Sequence, residues 1–402
     1  MDKKYNYREK NVLDIKVHEM IVRLWSVTGV GDREEIQKML MPLAKAGFVY
    51  PYMALMPDWH PGADAMVGSV IPTKDVLLPN VIGGDIGCGM TAVRLPVTAS
   101  ELSTDFEFIA SELRENIPAG SAHNSAVPER VSTNPLWERE LKAPVSNRIF
   151  RKLMRQFGSI GGGNHFLELQ RDHEDHLWIM LHSGSRYLGV EIRDYYVAEG
   201  AKRDGIDDRL YKRIPYLIAS DPFSKDYMSD VQSVKYFAKE SRREMLIRAL
   251  EVMQRHVPSL DIAVLIQSAA DVSHNYVAME EHFGEQLYIH RKGAIRLAKG
   301  DIGLVPGSMG TASFVVEGRG NGYAFCSCAH GGGRAMSRAA AARYISQQEL
   351  RDSMEGILCA HDAPLLDEAP GAYKDIRIVM RGQKDLVKIL YELSPVVSIK
   401  GR

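Results

Sequence analysis

A chain of 402 residues, 45% of them hydrophobic and 25% charged, can bury a large core and fits one big domain or two to three ordinary ones. Its formal net charge of −1 excludes a global positive field, so any nucleic acid must be held by a local basic patch. No apolar run approaches the roughly 20 residues of a membrane helix, the charged start is unlike a secretory signal, and four cysteines are too few for a disulfide framework. A cytoplasmic protein with reduced thiols is the expectation.

Before Tyr50 a strand or loop entry leads into a helix opened by Asp32, with Glu35 at capping-box spacing; Pro42 is expected to kink or limit it and Gly47 to end it. Residues 50–95 carry short apolar runs broken by Gly, Pro and Asp, the texture of strands joined by functional loops. In 103–116, Phe106, Ile109, Ala110 and Leu113 recur at helical spacing ahead of Pro118. Residues 119–144 are polar and proline-punctuated, which predicts a surface loop. A second glycine-rich block spans 158–169, and 177–185 read as a buried strand entering a loop.

The most helical segment is 202–257, marked by Val231, Val234, Phe237, Met245, Leu246, Ala249, Leu250 and Met253. Strands return over 261–325. An Ala-rich helix over 334–347, a shorter one over 349–357 and a tail of helix plus strand complete the chain. Helices and strands mix without regular βαβ alternation and without a repeat of fixed period, which favours an α+β fold.

Chemistry concentrates in the loops. Cys326-Ser327-Cys328-Ala329-His330-Gly331-Gly332-Gly333-Arg334 places an imidazole beside bare backbone N–H groups, a surface suited to holding a phosphate while the ring attacks it. A tight turn under a core, or a lipase oxyanion loop, reads similarly; the absence of Gly-x-Ser-x-Gly leaves the lipase reading without a nucleophile. Asp85 and Cys88 sit in Asp85-Ile86-Gly87-Cys88-Gly89, and His165, His182 and His274 each lie against small residues. These five form a thiolate, imidazole and carboxylate set for one or two divalent metals, set against the plainer reading of buried cysteine and hydrogen-bonded histidines.

The histidines at 18, 123, 173, 176, 256, 282, 290 and 361 lack that setting and are assigned to surface or structure. Lys202-Arg203-Asp204-Gly205 matches the short Lys-x-Asp-Gly pattern of nucleotidyl-transferring ligases and keeps Lys202 as a rival nucleophile. There is no Gly-Lys-Ser/Thr, hence no Walker A loop.

Longer motifs carry a resemblance. Met56-Pro57-Asp58-Trp59-His60, Gly84-Asp85-Ile86-Gly87-Cys88-Gly89-Met90, Gly163-Asn164-His165-Phe166, His182-Ser183-Gly184-Ser185-Arg186, His274-Asn275-Tyr276-Val277, Arg291-Lys292-Gly293-Ala294, Pro306-Gly307-Ser308-Met309-Gly310 and the stretch before His330 resemble, in colinear order, the RtcB family of RNA-splicing ligases. The resemblance implies one large domain over 1–402, with mixed sheets surrounded by helices. It also implies an RNA ligase that uses GTP and Mn²⁺ to join 2′,3′-cyclic phosphate or 3′-phosphate ends to 5′-hydroxyl ends.

By the same resemblance His330 is the residue guanylylated, and Asp85, Cys88, His165, His182 and His274 fall on the positions for two Mn²⁺ ions, with Cys88 shared. Guanylate contacts carry over to Asn164, Glu168, Ser308, Gly332, Gly333, Tyr373 and Lys400. Donor softness alone admits Zn²⁺ or Fe²⁺, so Mn²⁺ rests on the resemblance. Gly332, Ala329, Trp59, Pro61 and Gly84 depart from the common family form and mark a divergent member. The rivals are a metal-dependent RNA phosphodiesterase or cyclic phosphatase, which needs the metal set without His330, and an RNA-binding scaffold with a structural metal.

Overall fold

The computed structural model describes residues 9–26, 33–145, 147–359 and 363–401. Asp32, the expected helix opener, and His361 lie outside them. The helix itself runs Arg33–Ala46 and passes through Pro42. Its buried Ile36, Leu40, Leu43 and Ala44 join a core cluster with Leu24, Leu55 and Ile71, and that burial outweighs the roughly 3 kcal/mol that an interior proline costs.

Two large sheets organise the chain. One has six strands in the order Val12–Val17, Met20–Trp25, Met53–His60, Val67–Thr73, Glu285–Lys292, Asn275–His282. The other has seven, in the order Ala270–Ser273, Gly89–Thr98, His176–Ser183, Phe166–Arg171, Val387–Lys400, Ser313–Gly318, Ile302–Val305. The strands Met20–Trp25 and Met53–His60 run parallel; the other strand pairs of both sheets are antiparallel. This is the α+β arrangement that the sequence predicts. The first hairpin was expected only as a strand or loop entry, and it forms the edge of the first sheet.

The expected long helix is Pro222–His256, capped at its start by the Asp221 side chain. Its Met245, Leu246, Ala249, Leu250 and Met253 pack into one cluster with Val93, Ile179 and Leu181 of the seven-stranded sheet. The expected helix over 103–116 is Phe106–Asn116. The Ala-rich helix is shorter than predicted: Ser337 caps Arg338–Tyr344, and Arg334 instead pairs with Tyr373 in an isolated bridge. The 119–144 segment is also more ordered than a surface loop, because Val131, Leu136 and Ala143 are buried in a cluster with Leu153, Phe157 and Phe237.

The chain crosses from the seven-stranded sheet to the six-stranded one at a single residue, His274, between Ala270–Ser273 and Asn275–His282. That crossover places the seam between the sheets at the candidate ligands.

Candidate active site

Strand register brings the five candidate ligands together. Ser273 lies opposite Gly89, Gly89 opposite Ser183, and His182 opposite both Met90 and Phe166. Cys88 and His165, each one residue ahead of a paired strand, therefore lie next to His182 and His274, and the His274 N–H donates to Cys88 O at 2.8 Å. His182 stands inside a strand rather than in a loop, so its backbone is fixed by pairing on both sides.

The donor atoms converge. Cys88 Sγ lies 3.4 Å from His165 Nε2 and 3.2 Å from His182 Nε2. His182 Nε2 is 3.3 Å from His274 Nε2, and His165 Nε2 is 3.1 Å from Asp85 Oδ2. Two overlapping sets result, Asp85 with Cys88 and His165, and Cys88 with His182 and His274, each with ligand atoms within 4.8 Å of one another.

The residues fit divalent cations. His165 Nδ1 is 3.1 Å from Ile160 O and His182 Nδ1 is 3.1 Å from Asn164 O, so each ring gives its Nδ1–H to a carbonyl and turns the Nε2 lone pair inward. Burial, then the neighbouring imidazoles, holds His182 and His274 well below the ordinary histidine range, which keeps them neutral and able to ligate. Burial opposes ionisation of Asp85, but the His165 ring outweighs it and the carboxyl stays below its usual range. Gly184 is required here, since a Cβ would sit 2.0 Å from Asp85 Oδ1.

A buried arginine supports both the Cys88 loop and the end of the His182 strand. Arg242, on the long helix, pairs with Asp271 through 2.8 and 2.9 Å bonds and donates to Gly87 O at 2.9 Å and Ser183 O at 3.0 Å, the residues beside Cys88 and His182. Arg242→Met leaves the half-buried Asp271 without its cation and the Gly87 and Ser183 carbonyls without this donor, and the expected loss is about 3 kcal/mol in urea unfolding. A loss below about 1 kcal/mol would show that the pair is dispensable.

His330 faces this cluster. Its ring stands 4.8 Å from that of His274, centroid to centroid, and both line one cavity of about 780 Å³ with Asp85, Cys88 and His182. Asp58, fully buried, receives the His330 backbone N–H at 3.1 Å, and its Oδ2 lies 2.6 Å from His330 Nδ1. Gly333 has φ +70°, and a Cβ there would fall 2.0 Å from Asp58 O, so the glycine loop closes directly onto the strand that carries Asp58.

Two of the positions that depart from the resemblance, Gly332 and Gly84, are accommodated. A Cβ at Gly332 would meet nothing nearer than Lys374 O at 3.6 Å, so glycine there is a choice rather than a requirement. At Gly84 the Arg193 guanidinium already occupies the space, 2.8 Å from where a Cβ would be.

Asn164, Gly332, Gly333, Tyr373 and Lys400 also line the cavity. Glu168 and Ser308 are buried outside its lining, Glu168 receiving Ser398 Oγ at 2.9 Å and Ser308 Oγ resting 3.0 Å from Thr311 Oγ1. Burial pushes the Glu168 carboxyl up to about 7, against the pull of Lys400. Its folded value exceeds the unfolded one, so the folded chain holds the extra proton between about pH 4.5 and 7 and stability falls as pH rises through that window. Glu168→Gln is expected to flatten that pH dependence in urea unfolding, on the order of 3 kcal/mol between pH 5 and 7.5, and an unchanged slope would contradict it.

Sequence reasoning missed a carboxylate hub. Glu368 Oε2 accepts from Tyr373 Oη at 2.5 Å and lies 3.5 Å from Lys400 Nζ, while Oε1 meets Arg334 and Arg338 at 3.1 Å each. No local motif marks Glu368, whereas Asp58 stood within the quoted Met56-to-His60 motif without an assigned role. Lys202 does not join the site: its ammonium pairs with Glu199 at 2.6 Å at an exposed helix end.

The fold and the pocket define a class: an α+β protein with a thiol- and imidazole-lined pocket for divalent cations, facing a carboxylate-held histidine. A family model described as tRNA-splicing ligase RtcB matches residues 39–401. RNA-splicing ligase RtcB1 of Escherichia coli strain ATCC 25922 is 36% identical over 403 residues, covering 94% of this chain and 97% of that protein. RNA-splicing ligase RtcB of Escherichia coli K12 is 35% identical over the same shares of both chains, and tRNA-splicing ligase RtcB of Thermococcus kodakarensis is 28% identical over 88% of each. The chain belongs to the RtcB family of RNA ligases. Among the described residues, no helix is long and apolar enough to cross a membrane.

Proposed function

We propose that this chain is a GTP- and Mn²⁺-dependent RNA ligase that joins 2′,3′-cyclic phosphate or 3′-phosphate ends to 5′-hydroxyl ends, in RNA repair or tRNA splicing, as one domain over 1–402. The observation that carries the reading is the Asp58–His330 pair standing against two overlapping cation-ligand sets in one cavity.

Asp58 accepts from Nδ1–H and fixes the tautomer, so the His330 Nε2 lone pair is free to attack. Attack on the α-phosphorus of GTP forms a P–N bond and releases pyrophosphate. An oxygen of the RNA 3′-phosphate then takes the guanylate from His330, and the 5′-hydroxyl displaces GMP from the activated 3′-phosphate to form the new phosphodiester. A cyclic phosphate is first opened by water.

Asp85, Cys88 and His165 would hold one Mn²⁺, and Cys88, His182 and His274 the other. Such cations supply neutralisation of the phosphate charge that repels a nucleophile. The glycine loop 331–333 offers backbone N–H groups beside His330 for phosphate oxygens. Arg334, Arg338 and Lys400 give the cavity wall positive charge, and the guanylate contacts fall to Asn164, Gly332, Gly333, Tyr373 and Lys400, while Glu168 and Ser308, which the resemblance also implied, stand behind that wall.

The test is a pair of RNA oligonucleotides, one ending in a 2′,3′-cyclic phosphate and the other starting with a 5′-hydroxyl, incubated with the protein, GTP and Mn²⁺. A joined product that requires both GTP and Mn²⁺ is expected. Opening of the cyclic phosphate with no joining would overturn the ligase reading in favour of a phosphodiesterase.

A further inference from the structure

Among the described residues, the Asp58 carboxylate that holds His330 has no hydrogen-bonded tether of its own: Oδ2 takes both groups of His330, and Oδ1 is buried with no hydrogen-bond partner. Its aim is therefore set by its backbone. That backbone lies where the ladder between Met53–His60 and Val67–Thr73 shifts register, pairing lapsing between Leu55 and His60. A chain segment that leaves its ladder needs other partners for its buried carbonyls.

Two side chains supply them. The Lys374 ammonium donates to Trp59 O and, at 3.5 Å, to Pro57 O, and it stands 4.5 Å from the Trp59 ring centroid. His60 Nδ1 lies 3.0 Å from Asp58 O, its ring held neutral because burial lowers it to about 4. The carbonyls on both sides of Asp58 thus converge on one cation.

The same residue grips the other half of the pair. The Lys374 backbone N–H donates to Gly333 O at 2.9 Å, in the loop that carries His330. Lys374 does not line the cavity, although its neighbour Tyr373 does.

We propose that Lys374 is a positioning residue for His330: its ammonium fixes the Pro57-Asp58-Trp59 segment and its backbone fixes the glycine loop, so that the carboxylate and the imidazole stay in register. The chemistry rests on the ligase reading, and the clamp rests on geometry. A clamp whose ammonium acts through Asp58 affects the rate of nucleophilic attack and leaves GTP binding alone, because the Lys374 side chain does not line the cavity and its substitution keeps the backbone bond to Gly333.

Single-turnover transfer of the α-labelled guanylate from GTP to the protein, measured across GTP concentrations, separates the two effects. Lys374→Met is expected to lower the saturating rate about 10- to 100-fold, the cost of a misplaced reacting group, with half-saturating GTP unchanged; Lys374→Arg should recover most of it. An unchanged rate, or a fall expressed only as weaker GTP binding, would overturn the proposal. Should Lys374→Met fail to fold, Lys374→Gln, which keeps a shorter uncharged donor, is expected to show a smaller drop of the same kind.

A second readout needs no GTP. The imidazole proton shared with Asp58 should give a downfield proton resonance that is absent in His330→Ala and displaced or broadened in Lys374→Met or Lys374→Gln. An undisturbed resonance in both lysine variants defeats the clamp. If the native chain takes no label at all, the ligase reading fails while this resonance still decides the role of Lys374.

Discussion

His330→Ala is expected to lower guanylate transfer from GTP by at least about 10³-fold, because removing a covalent nucleophile removes the step itself and not a contact that assists it. The only other candidate from sequence, Lys202, is paired with Glu199 at an exposed helix end, so Lys202→Ala should retain native labelling. Asp58→Asn tests the supporting half of the pair. It keeps the shape but lets the amide donate toward Nδ1, favouring the tautomer whose Nε2 carries the proton, and labelling should again fall by at least about 10²-fold. Full labelling by His330→Ala would move the nucleophile elsewhere.

Cys88→Ala is the second large effect. Its thiol belongs to both ligand sets, whereas Asp85 and His165 belong to one and His182 and His274 to the other. Equilibrium dialysis against Mn²⁺ should therefore find both cations lost or greatly weakened in Cys88→Ala, but one retained in Asp85→Ala and one retained in His274→Ala. Ligation should drop by at least about 10³-fold in Cys88→Ala, since the charge that keeps nucleophiles from phosphorus is no longer screened. Retention of two bound cations by Cys88→Ala would show that the thiol bridges nothing.

Much of this site was legible in the sequence for a physical reason. Cys88, His165 and His274 each adjoin a strand end and Asp85 lies in the loop just before one, all among glycines or other small residues, where backbones approach closely, and such positions announce themselves in composition. His182 was found through the same signal although it lies within a strand. The long helix declared itself by period, its apolar residues facing the seven-stranded sheet. Three things were not legible. Asp58 and His330 meet across 272 positions, and Glu368, at the end of the short 3-10 helix Ala363–Glu368, gathers Arg334, Arg338, Tyr373 and Lys400 from distant positions. The crossover at His274 depends on pairings such as Ser273 with Gly89, which no local window contains. The Ala-rich helix was overestimated because helix propensity runs back to Arg334, while the bridge to Tyr373 and the hub at Glu368 claim that residue.

The account stands on a nucleotide carried by one imidazole, and peptide mapping tests that directly. After incubation with GTP and Mn²⁺, tryptic digestion and fragmentation at neutral pH, the guanylate should reside on the peptide 320–334, at His330. Guanylate located on the peptide bearing Lys202, or on any residue other than His330, would contradict the account.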